Sequence, residues 1–211
     1  VVVGWQDTAY RQGAVWTNGN QQLIYRPDGN EAFEASAVSS DGLWVTGLGI
    51  GSFNGSGDTY RYNTSTNVCE VIPNLSVGAG MYMAGADITE DGQTIVGGSW
   101  PFGVPAYFGS AFIWREGIGT IPIENYLEEV GVTFPSNFSF AFATSISPNG
   151  NWIAGWGNSG SIGNTVSWFV EIPISTVCDA DIDGSGAVDV GDLLMIIDQW
   201  GATNSPADVN N

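Results

Sequence analysis

The chain has 211 residues, with 22 acidic side chains against four arginines, no lysine and no histidine, which gives a net charge of −18. Without histidine it cannot form a Ser-His-Asp triad or a histidine-ligated zinc site. Its negative charge repels nucleic acids and anionic membranes and suits a medium rich in divalent cations. The abundance of glycine, serine, threonine, asparagine and aromatic residues is typical of a β-rich extracellular protein.

Self-similarity is the main signal in the first three quarters of the chain. Residues 38–47, 88–97 and 146–155 align without gaps, and each reads as a strand, an Asp-Gly or Asn-Gly turn, and a second strand. These dipeptides predict two-residue hairpin turns, because such turns need positive φ angles. A glycine closes each second strand. These glycines are Gly47, Gly97 and Gly155.

A third and a fourth strand are predicted after each hairpin. The third strand carries an aromatic residue in matched position: Trp16, Tyr62, Trp114 and Trp168. The fourth is an apolar segment, found at residues 71–73, 121–123 and 172–174, with 23–25 as the candidate in the first copy. The turn glycines Gly42, Gly92 and Gly150 are spaced by 50 and then 58 residues. A four-stranded unit of that length fits a β-propeller blade.

The repeat resembles the HAF-type repeats of secreted bacterial proteins, whose pattern is S-x-(D/N)-G-x-x-(I/V)-x-G followed by A-F-x-W. The third copy matches well and the others more loosely, and no copy contains the histidine of the family name. The resemblance spans most of residues 1–177 and implies a propeller-like fold of about four blades, not a reaction. Residues 1–4 match 44–47, so the first strand of copy one is missing from the pattern. Either the chain is a fragment of a longer propeller or another segment supplies that strand.

Tryptophan residues raise the alternative of a polysaccharide-binding propeller. The aromatic residues of the third strands recur once per repeat, which favours core packing over ligand binding. Trp5, Trp100 and Trp156 fall outside that set and are better candidates for exposure. Glu128 and Glu129 could imitate a glycosidase carboxylate pair, but they lie in a predicted short, solvated helix. No nucleophile with an activating base is present, which predicts that the chain is not an enzyme.

Residues 181–192 form the one stretch whose side chains at fixed spacing define a chemistry. Oxygen donors stand at positions 1, 3, 5, 9 and 12 of an EF-hand-like loop, with Gly186 at position 6. The predicted calcium ligands are Asp181, Asp183, Ser185, the carbonyl of Ala187, Asp189 and Asp192. Position 12 is Asp instead of Glu, and residues 172–178 are β-branched and contain proline, so no helix is expected to enter the loop.

With these two departures, the segment resembles the type I dockerin, a calcium module of two loop-helix half motifs without entering helices. A second half motif begins at Asp208 and Asn210, and the sequence ends before its glycine. The helix that follows the first loop carries an apolar stripe, which must pack on the other half motif, on the propeller or on another protein. The stripe consists of Leu193, Leu194, Ile196, Ile197 and Trp200.

Two kinds of covalent modification are also open. Cys69 and Cys178 allow one disulfide, and two unpaired thiols remain the alternative. Four Asn-x-Ser/Thr sites could accept glycans: Asn54, Asn63, Asn74 and Asn137.

Together these features predict an all-β repeat domain over residues 1–177 and a dockerin-like module over 178–211. The expected function is that of a non-enzymatic, extracellular, calcium-binding structural or assembly protein. Its partner would be a cohesin-like receptor, as the dockerin resemblance implies, or another copy in a cell-surface fibre or layer. The alternatives are polysaccharide binding by the propeller and a fragment of a larger secreted carbohydrate-active protein.

Overall fold

The chain is mostly β, as predicted, with fourteen strands and two α-helices in the part that the structure describes. This computed structural model describes residues 1–8, 10–49, 57–75, 80–160, 164–173 and 190–198. The chain divides into two compact units, Val1–Pro173 and Ile174–Asn211. The predicted domain boundary between residues 177 and 178 lies outside the described residues.

By backbone pairing, the strands form three antiparallel sheets of three, eight and three strands. In chain order they make up four meanders, and meanders 2 and 3 are joined in the eight-stranded sheet through the pair Leu48 and Ala84. Meander 1 consists of β1 (Val2–Asp7), β2 (Arg11–Thr17) and β3 (Asn20–Leu23). Meander 2 consists of β4 (Glu34–Val38), β5 (Trp44–Leu48), β6 (Thr59–Asn63) and β7 (Val68–Ile72). Meander 3 consists of β8 (Met81–Ile88), β9 (Thr94–Pro101), β10 (Ser110–Arg115) and β11 (Gly119–Pro122). Meander 4 consists of β12 (Phe138–Ile146), β13 (Trp152–Ser159) and β14 (Thr165–Glu171).

Two helices accompany these strands. Helix α1 (Ile123–Glu129) follows β11 and agrees with the predicted short helix, but Ile123 and Leu127 are fully buried in the core between meanders 3 and 4. It is therefore a packed element, not merely a solvated one. Helix α2 (Val190–Asp198) belongs to the second unit.

The hairpin turns of the repeat differ from the two-residue turns that the Asp-Gly and Asn-Gly dipeptides predict. Ser39 pairs with Trp44 across a loop of four residues, and only Gly42 has positive φ, at 79°. The Ser39 hydroxyl donates to the Asp41 carboxylate (2.6 Å) and accepts the N–H of Trp44 (2.9 Å). Turns built around Thr89 and Ser147 repeat these two bonds. The hydroxyl closes the loop, so Asp41 need not adopt the positive φ of a two-residue turn.

A true two-residue turn occurs elsewhere, between β2 and β3. Asn18 and Gly19 have φ values of 52° and 80°, and Thr17 pairs directly with Asn20. This is the geometry of a type I′ turn, in which both central residues are left-handed.

Each first strand of meanders 2, 3 and 4 contains a bulge opposite the glycine that closes the second strand. The register shifts by one residue between Ala35 and Ala37, between Gly85 and Asp87, and between Ala143 and Ser145. The bulge turns a backbone carbonyl toward the facing glycine, where a Cβ would overlap it. The facing pairs are Gly47 with the Glu34 carbonyl, Gly97 with that of Ala84, and Gly155 with that of Phe142. This explains the recurrent glycine.

The third-strand aromatics are matched in space for three of the four repeats. Val2, Val45 and Ile95 pair with Trp16, Tyr62 and Trp114, respectively. In meander 4 the corresponding Ile153 pairs with Val170, and Trp168 pairs with Gly155 instead. Trp168 therefore stands two residues from the predicted position and matches Phe112, which pairs with Gly97. The prediction that Trp168 matches Trp114 was therefore wrong by two residues, a shift that keeps the side chain on the same face of the sheet.

Successive meanders pack face to face. We call the face of a meander that points toward the preceding meander its front face, and the opposite face its back face. The core between meanders 1 and 2 includes Val15 from the back of one and Val45 from the front of the other. The next core includes Ile95 on the front of meander 3, and the third joins Ile113 on its back to Ile153 on the front of meander 4. The same contact, the back face of one meander against the front face of the next, thus recurs along the first unit.

The bulge accounts for the glycine, and this can be tested at equivalent positions. Gly97→Ala places a methyl group against the Ala84 carbonyl, so we expect the free energy of unfolding to fall by about 2–3 kcal/mol in urea denaturation followed by circular dichroism. Gly4 occupies the same place in meander 1, and a Cβ there meets only the Trp16 ring, at 3.6 Å. Gly4→Ala should change stability by less than about 0.5 kcal/mol. Equal losses would contradict the role of the bulge.

Candidate functional site

Helix α2 carries the one predicted calcium ligand that the structure describes. The helix starts at Val190, inside the predicted loop at residues 181–192 and not after it. Asp192 lies in its first turn with 2% of its surface exposed. Asp192 stands at position 12 of the predicted loop, where a carboxylate ligand is expected.

Most of the predicted apolar stripe on α2 is exposed, in contrast to the buried Asp192. Leu193, Leu194 and Ile197 each expose more than half of their surface, whereas Ile196 is half-buried. A nine-residue helix with such exposed apolar side chains has a surface suited to a partner. Trp200, the last residue of the predicted docking stripe, lies outside the described residues.

The remaining predicted calcium ligands also lie outside the described residues. They are Asp181, Asp183, Ser185, Ala187 and Asp189, with Asp208 and Asn210 of the second half motif. Among the side chains that are described, no group of three or more acidic or cysteine residues is placed to hold a metal ion. The donor set of the first loop consists of hard oxygen atoms, which is the chemistry that calcium requires.

Arg61 on β6 is the most heavily engaged charged residue in the first unit. Its guanidinium lies between two indole rings, 4.9 Å from the Trp44 ring centre and 5.0 Å from that of Trp114. It also donates to Glu70 (2.7 Å), to Glu116 (2.9 Å) and to the Gly92 carbonyl (3.0 Å). Trp44 comes from meander 2 and Trp114 from meander 3, so one side chain joins the two meanders.

The electrostatics of this cluster favour the charged guanidinium. Burial lowers the pKa of Arg61, but the hydrogen bonds to Glu116 and Glu70 outweigh burial and leave the pKa raised. The same bond lowers the pKa of Glu116. Both glutamates keep about half of their side chains in solvent (52% and 53%), so neither is a buried general acid or base. The cluster holds meanders together and has no catalytic geometry.

The sequence patterns did not single out Arg61, although the small number of basic residues is a weak indication of its role. The chain has only four basic residues, and in an acidic chain each of them is a candidate partner for several carboxylates. Arg26 likewise bonds the Asp58 carboxylate through both nitrogen atoms of its fork (2.6 and 3.0 Å). Burial raises the pKa of Asp58, and the Arg26 charge opposes that rise.

Asp87 connects meanders 3 and 4. Its carboxylate accepts the N–H of Ile88 and, across the interface, the N–H of Ile146 at 2.9 Å. Burial raises the pKa of Asp87, and these two N–H donors lower it. The bulge in β8 brings Asp87 opposite Val96, so the irregularity that requires a glycine also aims this carboxylate at the next meander.

Aromatic side chains form a patch that involves both β8–β9 and β12–β13. Trp100 lies 5.6 Å from Tyr82 and 5.9 Å from Phe142, and Phe142 stacks on Trp156 at 5.7 Å. Of the three tryptophans expected to be exposed, Trp5 is exposed, whereas Trp100 and Trp156 are half-buried in this patch. Neighbouring rings of Phe102, Tyr107 and Phe108 are exposed.

A second aromatic concavity lies between β14 and the segment after α1. It encloses about 430 Å³ and is lined in part by Phe134, Phe138, Phe140 and Trp168. Phe140 makes edge-to-face contacts with the other three rings, at 4.8–5.0 Å. The Trp168 indole N–H is buried and has no hydrogen-bond acceptor among the described residues.

The predicted disulfide and glycosylation sites differ in their burial and in their hydrogen bonds. Cys69 is buried in the core between meanders 1 and 2, where burial raises the pKa of its thiol to about 12. Its predicted partner Cys178 lies outside the described residues, so the disulfide stays a prediction. Asn137 is exposed, Asn63 accepts three hydrogen bonds from Ser65 and Thr66, and Asn74 donates its amide to the Gly57 carbonyl (2.6 Å). Asn54 is outside the described residues.

Comparisons with known proteins add one structural likeness. No protein-family model matches the chain, and no curated protein is significantly similar to it. Among solved structures, the chain is similar to TolB from Acinetobacter baumannii, with 20% sequence identity and a TM-score of 0.48. The alignment covers 78% of this chain and 36% of that protein. In the described residues, neither helix is long and apolar enough to cross a membrane.

The Arg61 cluster can be tested by truncation. Arg61→Ala removes the group between two indole rings and leaves the Gly92 carbonyl without its donor, so we expect a loss of about 2–4 kcal/mol in the free energy of unfolding. Arg115, which is exposed and lies 5.6 Å from the Tyr126 ring, provides the control. Arg115→Ala should cost less than about 1 kcal/mol. Similar losses for both variants in urea denaturation would contradict the structural role of Arg61.

Proposed function

We propose that the chain is a non-enzymatic, extracellular, calcium-binding assembly protein that docks through its C-terminal module. In this proposal the loop at residues 181–192 binds calcium, calcium orders α2, and the exposed apolar side chains of α2 contact a protein partner. The partner is a cohesin-like receptor or another copy of the chain. The observation that carries the proposal is the oxygen-donor pattern of residues 181–192, followed by a helix whose Leu194 and Ile197 are exposed.

The charge distribution supports an extracellular setting. A chain with net charge −18 and no lysine is compatible with millimolar divalent cations, and calcium sites of extracellular modules operate in that range. Calcium would neutralise Asp181, Asp183, Asp189 and Asp192, which otherwise repel one another within one loop. Cation binding and folding of the module are then the same event.

The first unit supports a rigid, propeller-like carrier. We propose that the four meanders are blades, because each packs its front face on the back face of its predecessor through a recurrent set of contacts. Its most engaged charged groups, Arg61, Asp58 and Asp87, serve contacts within or between meanders. No histidine exists to act as a base, and this favours a binding role over catalysis.

Calcium binding tests this proposal directly. We expect calorimetry to detect calcium binding by the full chain, and far-ultraviolet circular dichroism to show loss of helix in EDTA with the β signal retained. Asp192→Asn removes one charged ligand and should weaken calcium binding at least about tenfold. Asp198→Asn removes the same charge at the other end of α2 and should leave the affinity within about twofold. No heat of binding and no spectral change would refute the calcium mechanism.

Docking itself has a separate readout. Electron microscopy of the full chain with and without calcium distinguishes a calcium-dependent fibre or layer from single particles. If only single particles appear while calcium is bound, self-assembly through the module is excluded and a receptor remains as the partner.

A second candidate function, polysaccharide binding, is favoured by the aromatic patch. Phe102 exposes its ring next to Tyr82, which in turn lies against Trp100, and sugar rings stack on such surfaces. A glycan array would identify a ligand, and Phe102→Ala should then weaken binding at least about fivefold, since it removes one stacking surface. Tyr25, equally exposed but outside the patch, is the control. The absence of any bound glycan, or equal effects of Phe102→Ala and Tyr25→Ala, would exclude the patch as the site.

A further inference from the structure

The back faces of the four meanders differ in one respect. Val15, Arg61, Ile113 and Phe169 occupy equivalent positions on the third strand of the repeat, which is β2 in meander 1 and β6, β10 and β14 in the others. Each of them pairs with the residue that directly follows the front-face residue of the second strand. The first three are 4%, 8% and 1% exposed, because the following meander covers them. Phe169 of meander 4 is 68% exposed. This position is therefore covered on the back faces of meanders 1, 2 and 3 and exposed on the back face of meander 4.

The open back face also presents a second residue of the recurrent contact. In meander 2, Trp44 packs so closely on the turn of meander 3 that a Cβ on Gly92 would overlap its ring. Trp152 holds the equivalent place in meander 4, two residues after the turn glycine. It stacks on Phe169 with ring centres 4.8 Å apart and planes 8° from parallel. The pair forms a flat apolar surface of the kind that elsewhere receives the next meander.

The front face of meander 1 is open in the complementary way. Val45, Ile95 and Ile153 on the front faces of meanders 2, 3 and 4 are 0%, 0% and 1% exposed. Val2 stands at the equivalent position of meander 1 and is 64% exposed. Within the described residues, β1 pairs with β2 alone. Since Val2 and Phe169 are both exposed in one chain, these two faces do not cover each other.

We propose that the back face of meander 4 docks on the front face of meander 1 of a second copy of this chain, in a head-to-tail arrangement. The second copy is the occupant because the open back and the open front are the two halves of an interface that this chain already forms three times between its own meanders. Two different surfaces meet, so the contact is heterologous and generates a ring or a filament, not a two-fold dimer. This contact is independent of the calcium module.

Sedimentation velocity of the full chain, in EDTA, over about a hundredfold range of concentration tests this contact apart from any calcium-dependent docking. We expect reversible association that strengthens with added salt, because salt screens repulsion between copies of charge −18. Phe169→Arg and Val2→Arg should each weaken association at least about tenfold. Ile118→Arg, at an equally exposed apolar position in the turn after β10, should not.

Mixing the two variants distinguishes this arrangement from others. The Phe169→Arg copy keeps an intact front face and the Val2→Arg copy keeps an intact back face, so the mixture should form 1:1 pairs with about wild-type affinity. Phe169→Ser and Val2→Ser, which add no charge, should weaken association in the same direction. A wild-type chain that stays monomeric at all concentrations, or variants that fail to complement each other, would overturn the proposal. Neither result would bear on calcium binding by the C-terminal module.

Discussion

The contact of Arg61 with Trp44 and Trp114 is the constraint on which the centre of the molecule depends. A guanidinium is flat on both faces and carries donors around its rim, so it can stack between two rings and still bond Glu70, Glu116 and a backbone carbonyl. No aliphatic side chain can do both. At the equivalent place, the third strands of meanders 1 and 3 carry the apolar residues Val15 and Ile113. Only the interface between meanders 2 and 3 is joined by a charged group there.

A second constraint is the bulge opposite a glycine, which recurs in meanders 2, 3 and 4. Each bulge bends the first strand of its meander and turns a carbonyl into the space that a side chain would occupy on the second strand. In meander 3 the same bulge aims Asp87 at a backbone N–H of meander 4. The recurrent glycine therefore serves the stacking of meanders as well as the hairpin, and the interface it supports can repeat along the chain.

The interior of the first unit is used for the stacking of meanders, so the proposed functions all involve its surfaces or α2. The charged groups that are buried are consumed by contacts between strands, as Arg26 with Asp58 illustrates. What remains available is α2 with the proposed calcium loop, the aromatic patch, and the two end faces of the meander array. All of these suit binding and assembly, which is consistent with the absence of a histidine or a paired nucleophile.

The sequence by itself determined the β class, the hairpins and the recurrent glycines, because each depends on residues close together in the chain. The calcium loop at residues 181–192 stays a prediction. The sequence did not determine the length of the turns, since a Ser or Thr hydroxyl five residues away completes them, nor the register of Trp168, which differs by two residues. Only the tertiary structure decided that Arg61 joins two meanders and that Phe169 and Val2 are uncovered. Those facts depend on which faces meet, as when Arg61 bonds Glu116 across 55 positions of sequence, and local patterns contain no information about such contacts.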